Sequence, residues 1–154
     1  MTNPLPLAGL RVIELGQVLA GPFAGAIFAD LGADLIKVER PEGDDGRRIG
    51  AAFRYGDSMT FHEFNRNKRS VTIDLKTPEG LADLEALVAT ADILVHNLRP
   101  GSADDLRIGA ERLTQKFPRL IYCEMGAYGH QGPMKTTPAT AQLSAKSAFS
   151  DKNP

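Results

Sequence analysis

The sequence has no tryptophan, a single cysteine and only 6% aromatic residues. So few rings leave little from which to build a base-stacking surface for nucleic acid. Lys and Arg total 18 against 19 Asp and Glu, a net charge of −1. No global basic field is therefore present to recruit nucleic acid or an anionic membrane. The lone Cys123 excludes an internal disulfide framework and suits a reducing compartment. No run approaches the about 18 apolar residues of a membrane span. The opening MTNPLPLAGL lacks the basic start and long apolar stretch of a signal peptide. His62, His96 and His130 lie too far apart for a local metal motif and read as structural or solvent-facing. The expectation is a soluble cytoplasmic protein with no metal site and neither a nucleic-acid nor a membrane partner.

What is present is the material of one packed domain: 154 residues, 42% of them hydrophobic. Four apolar runs of strand length share a Val, Ile and Leu character: Leu10 to Leu15, Asp34 to Glu39, Ser70 to Leu75 and Asp92 to Leu98. A fifth, Leu120 to Glu124, follows Pro118 and carries Cys123, which reads as a core residue. Helical stretches fill the gaps. Pro22 suits a first helical position, with Phe23, Ile27 and Leu31 recurring before Gly32 stops the turn. Thr77 reads as an N-cap before Pro78, with Leu81, Leu84, Leu87 and Val88 along one stripe. A third helix is expected near Ala110 to Phe117. Alternating strands and helices predict βαβ units, and so an α/β fold: a Rossmann-like parallel sheet flanked by helices on both faces.

Two regions break the pattern. From Arg40 to Arg69 the chain is polar and irregular, which predicts a long functional or mobile loop. From Met134 onward Ala, Ser, Thr and Lys dominate without apolar periodicity, which predicts a disordered tail over 134–154 after a folded segment over 1–133.

Candidate chemistry gathers at the ends of the predicted strands. Gly16 and Gly21 in the first βα junction would let backbone approach a ligand, or would simply make a tight turn. Pro22 and Phe23 stand where a Walker A loop needs Lys and Ser or Thr, and GxGxxG is absent, so neither phosphate fingerprint is met. That absence also counts against a nicotinamide-binding domain. Glu39 could take a ribose and Arg40 a phosphate, or both could be a solvated strand end. Arg47, Arg48, Arg66, Lys68 and Arg69 are basic enough for a polyphosphate ligand, or form a solvated face. Asn97 closes the fourth strand and could bond a base, a ribose or its own turn. Gly126, Gly129 and Gly132 suit a lid or a plain connection.

In sequence, LAGLRVIELGQVLAGPFAG, LGADLIKVERPEGDDGRR, FNRNKRSVTIDLKTPEG, ADILVHNLRPG and PRLIYCEMGAYGHQGP resemble the family III CoA-transferases, in register from about Leu7 to Pro133. The superfamily also includes α-methylacyl-CoA racemases. The resemblance implies a Rossmann-like half that seats the nucleotide end of coenzyme A. It implies contacts from Arg40, from Ile73, Asp74, Leu75 and Lys76, and from Asn97, Leu98 and Arg99. No cofactor is bound permanently; the CoA thioester is a substrate. Full-length members form an interlocked homodimer.

Two departures stand out. Asp105 occupies a position after the Arg99-Pro100-Gly101 turn where the family often has arginine. In family members an aspartate attacks the acyl-CoA thioester, giving a mixed anhydride and then an aspartyl-CoA thioester, with glycine N–H groups to stabilise the oxyanion. That aspartate typically closes a Gly-Tyr-Asp triplet eight residues beyond the proline matching Pro133, a count that lands on Ala141. No Gly-Tyr-Asp occurs, Asp151 lies ten residues too late, and the family pattern stops near Pro138. No catalytic residue is therefore assigned. The expectation is an incomplete large domain, a truncated CoA-transferase inactive alone and prone to dimerise or aggregate. The alternatives are a racemase-like fragment and a non-catalytic CoA-binding module.

Overall fold

A computed structural model describes residues 4–137. Its elements run β1 (Arg11–Glu14), α1 (Ala20–Asp30), β2 (Asp34–Glu39), a 3₁₀ turn (Asp45–Arg48), β3 (Phe53–Arg54), β4 (Asp57–Ser58) and α2 (Met59–Phe64). They continue with β5 (Arg69–Thr72), α3 (Pro78–Val88), β6 (Ile93–His96), α4 (Ser102–Asp105), α5 (Ala110–Lys116) and β7 (Ile121–Glu124). Five strands form a wholly parallel sheet in the order β5-β2-β1-β6-β7, while β3 and β4 make a separate antiparallel hairpin. The order reverses between β1 and β6, as in doubly wound nucleotide folds. The expected Rossmann-like α/β architecture is what the chain adopts.

Side chains alternate across the strands and build two cores. Ile13, Leu15, Ile36, Val38 and Leu94 face α3, α4 and α5, meeting Leu84, Val88, Ile108 and Leu113. Val12, Leu35, Ile93 and Val95 form the other core, with Ala29 of α1. Thr77 caps α3 as expected, its hydroxyl accepting the Gly80 N–H at 3.0 Å. Leu84 and Val88 are its buried pair, with Leu81 and Leu87 packed alongside.

Several sequence expectations need correction. The third strand is Arg69–Thr72 rather than Ser70 to Leu75, because Asp74 and Thr77 turn the chain immediately after it. The fourth is Ile93–His96, shorter than Asp92 to Leu98. Helix α1 starts at Ala20, so Pro22 is its third residue, still within the turn whose N–H groups have no helical partner. Its buried face is Gly21, Pro22, Gly25, Ala26 and Ala29, whereas Phe23, Ile27 and Leu31 lie outside at 50%, 45% and 38% exposure. Small residues win there because a Cβ at Gly25 would meet the buried Glu14 carboxylate and Lys68 ammonium and one at Gly21 the Gly16 backbone and Asn97, while Ala29 packs into the apolar core. Cys123 is exposed, because β7 is an edge strand and no helix among the described residues covers that side of it. Residues 40–69 form a turn, a hairpin and a short helix, not an irregular loop. The expectations for the tail, including Ala141 and Asp151, lie outside the described residues from 138 on.

Candidate functional site

In an open parallel sheet, ligands bind beyond the carboxyl ends of the strands. Here that edge is assembled by buried ion pairs. Glu14 and Lys37 are paired in register on β1 and β2 and point under α1. Lys37 Nζ lies 3.0 Å from Glu14 Oε1, 2.8 Å from Asp44 Oδ2 and 2.7 Å from the Gly16 carbonyl. Lys68 Nζ reaches Glu14 Oε2 at 2.7 Å and donates to the Pro22 carbonyl at 2.7 Å. None of the four side chains is more than 2% exposed, and their charges cancel. Burial pushes the Lys68 ammonium below its ordinary pKa, against the pull of Glu14. Gly25 makes the space, since a Cβ there would stand 2.1 Å from Glu14 Oε2.

The quartet fixes the loop after β1. Asp44 Oδ1 accepts the N–H groups of Val18 (2.9 Å) and Gly46 (2.8 Å), and Val18 sits at φ +63°. Asn97 secures the same loop from β6: its Oδ1 accepts the Gln17 N–H at 2.7 Å and its Nδ2 donates to the Gln17 carbonyl at 2.9 Å. Asn97 therefore stands at the point where strand order reverses, with its amide spent as a clamp between β1 and β6.

After β2, the Glu39 carboxylate takes two bonds from Arg47 (2.7 and 2.8 Å), one from Ser70 (2.6 Å) and one from the Asp44 N–H (3.0 Å). Burial alone would raise this carboxyl, but those donors outweigh it and hold it at about 2. Arg47 also bonds Asp57 at 2.7 Å and stacks over Phe61. Arg40 donates to the Gly43 carbonyl at 3.1 Å and pairs with Asp45. Arg48, Arg66 and Arg69 face Asp45, Asp30 and Asp34. The basic cluster legible in sequence is thus committed to acids within the chain.

After β5, Ile73 is a core residue whose N–H donates to the Glu39 carbonyl at 2.8 Å. Asp74 closes the turn, its Oδ1 accepting the Lys76 N–H at 3.0 Å. Leu75 and Lys76 instead line an open cleft of about 350 Å³, together with Thr77, Pro78, Asp105 and Arg107. Leu98 packs against the core and Arg99 is exposed. Of the eight positions named from sequence, then, two share a cleft, one is a clamp, and Arg40 pairs with an acid elsewhere on the edge. Lys76, Arg99 and Arg107 have no ion pair among the described residues. The positions sequence reasoning missed are Glu14, Lys37, Asp44 and Arg107. A charge inside each of two apolar strands was the available signal for the first two.

His96 is buried and makes a relay. Its Nδ1 accepts the Leu98 N–H at 3.2 Å, its Nε2 meets the Tyr122 hydroxyl at 2.8 Å, and that hydroxyl donates to the Ile108 carbonyl at 2.9 Å. Burial lowers the imidazole and raises the phenol. This relay ties the Leu98 turn to the Arg107–Ile108 bend. Among the described residues no cluster of His, Cys, Asp or Glu could hold a metal, and no helix is long and apolar enough to cross a membrane.

The profile of CoA-transferase family III matches residues 7–149. The chain belongs to that family. The match continues past Pro133, into residues outside the described part. Among family III relatives, the chain is 47% identical over 135 residues to a succinate–glutarate CoA-transferase of Agrobacterium fabrum, covering 83% of this chain and 34% of that protein. It is 41% identical over 143 residues to the succinyl-CoA–L-malate CoA-transferase beta subunit of Chloroflexus aurantiacus, covering 92% and 35%. The crystal structure of a CaiB/BaiF family protein from Brucella suis superposes with a TM-score of 0.85 at 41% identity, covering 92% of this chain and 38% of that one. The chain thus spans about a third of the length of the curated family III relatives it matches.

Proposed function

We propose that this chain seats the nucleotide end of a CoA thioester at the carboxyl edge of its sheet, as its part of a CoA-transfer reaction. The observation that carries the reading is the cleft at the end of β5. It holds Leu75 and Lys76, two of the positions the resemblance assigns to coenzyme A, beside Arg107, which has no ion pair among the described residues. Its about 350 Å³ is in the range of small-molecule sites. Arg99, exposed just after β6, adds a third cation with no ion pair among the described residues. Asn97 contributes by holding the β1 and β6 ends together, and Ile73, Asp74 and Leu98 by shaping the turns. Arg40 is held by Asp45, so a phosphate would have to displace that carboxylate.

The acyl chemistry lies elsewhere. The sequence has no Gly-Tyr-Asp, and Ala141 has no carboxylate with which to open a thioester. We therefore propose CoA binding without transfer by this chain alone. Succinate, glutarate and malate are the acids in the relatives' names, and small dicarboxylic acids are the acceptor class we propose for a complete protein. A cytoplasmic location and a homodimeric complete assembly belong to the same proposal.

The test is calorimetric titration of the chain, its fold checked by circular dichroism, with coenzyme A, followed by incubation with succinyl-CoA and glutarate. Saturable binding of one CoA per chain with no glutaryl-CoA formed is expected. A folded chain that leaves millimolar CoA unbound would end the reading. Formation of glutaryl-CoA would overturn the assignment of no catalytic carboxylate.

A further inference from the structure

We infer that Arg107 is a phosphate-gripping residue of this chain, acting with Lys76 across the cleft at the end of β5. The inference rests on the reading of that cleft as part of a CoA site.

Three observations converge on Arg107. The first is charge commitment. Arg47, Arg48, Arg66, Lys68 and Arg69 each have an acidic partner, so none is free for a ligand without first losing one. Lys76 and Arg107 have none among the described residues, yet both line the same cleft. The second is backbone. Arg107 sits at φ +60°, a region that costs an L-residue with a long side chain and that glycine adopts freely. It is the residue just after α4 and its C-cap Leu106, a place where glycine commonly ends a helix. For folding alone, glycine would serve better, and an observed outlier of this kind motivates a functional reading.

The third is rigidity. The Arg107 N–H donates to the Asp104 carbonyl at 2.8 Å, and its own carbonyl accepts from the Arg112 guanidinium at 2.6 Å. Ile108, next in the chain, is fully buried, with its carbonyl bonded to Tyr122. The bend is therefore held from both sides, and Arg107 projects from a fixed base. A guanidinium on a fixed base matches a phosphate with two parallel hydrogen bonds, while Lys76 adds a point charge. Asp105 lines the same cleft and opposes an anion, so the two cations must outweigh one carboxylate. Removing one of them leaves the cleft without net positive charge.

The test compares wild type with Arg107→Gly. Glycine relieves the positive-φ strain, so the variant should melt no lower than wild type while binding CoA at least tenfold more weakly. Its affinity should also depend less on salt, since a screened charge pair has gone. Lys76→Ala serves as the second variant, with the same loss expected from the opposite wall. Titration with dephospho-CoA distinguishes the phosphate: a smaller loss than with CoA identifies the 3′-phosphate, an equal loss the diphosphate. Wild-type chain that binds no CoA sinks the functional reading itself. Wild type that binds, with Arg107→Gly within twofold of it at every salt concentration, overturns this inference alone.

Discussion

Replacing Lys37 by methionine should strongly destabilise this protein, although methionine has nearly the same length and shape. Lys37 is 1% exposed and neutralises Glu14 and Asp44, which are 0% and 1% exposed. Without it, two buried carboxylates share the single ammonium of Lys68, leaving one buried negative charge uncompensated. Breaking a buried pair by removing one partner costs about 3–5 kcal/mol. A domain of this size has about 5–15 kcal/mol in total. At about 3–5 °C per kcal/mol, the melting temperature should fall by about 10–20 °C. The double variant Lys37→Met with Asp44→Asn restores neutrality, and the new amide keeps the oxygen that accepts the Val18 and Gly46 N–H groups. It should recover at least half of the loss. Thermal and urea unfolding, followed by circular dichroism at neutral pH, give both numbers. The reasoning is refuted if Lys37→Met melts within about 3 °C of wild type, or if the double loses the sum of the two single losses.

Acid should act in two steps. Burial lowers the His96 imidazole from its ordinary 6.5, so stability falls as pH drops below 6.5, where the unfolded chain takes up a proton that the folded chain refuses. Glu39 is held at about 2 from an ordinary 4.5, so its contribution, about 3 kcal/mol at one pKa unit per 1.36 kcal/mol, is present above 4.5 and lost as pH falls toward 2. Melting curves of Glu39→Gln and wild type should therefore converge near pH 2, and a gap unchanged from pH 6 to 2 would contradict the assignment. Gly25→Ala drives a Cβ to 2.1 Å from Glu14 Oε2 and should give insoluble protein, whereas Gly126→Ala meets nothing within 4 Å and should leave the melting temperature unchanged. Soluble, stable Gly25→Ala would show that the quartet can yield. Leu19, Phe23, Ile27 and Leu31 form an exposed stripe along α1, and Ile121 is 62% exposed on an edge strand. Light scattering should find self-association that rises with concentration and weakens in Phe23→Glu; a monomer melting sharply at one temperature at all concentrations would refute it.

The sheet was legible because the short apolar strand runs mark buried parallel strands, and Thr77-Pro78 and Gly32 mark helix ends. The facing of α1 was not, because the rule that large apolar residues turn inward presumes an apolar floor. Here the floor under Gly25 is the buried Glu14 carboxylate with Lys68, and Gly21 is pressed against Gly16 and Asn97, so that neither position leaves room for a Cβ. Glu14 meets Lys37 at a separation of 23 residues, and its other partner, Lys68, lies further still along the chain, beyond any local pattern. The same long-range pairing hid which cations are available. Lys68 read as part of a polyphosphate site or of a solvated face and is instead a buried structural charge, while Arg107, isolated in sequence, lines the cleft. Asn97 was legible as a residue at a strand end, but its bond to Gln17 depends on β1 and β6 being neighbours.

The most direct measurement is a map of backbone amide shifts in isotope-labelled chain titrated with coenzyme A. The largest shifts should fall on Leu75, Lys76 and Thr77, on Leu98 and Arg99, and on Arg107, with Ala110–Lys116 of α5 unmoved. Shifts confined to the exposed stripe of α1, or none at saturating ligand, would contradict a CoA site at the carboxyl edge of the sheet.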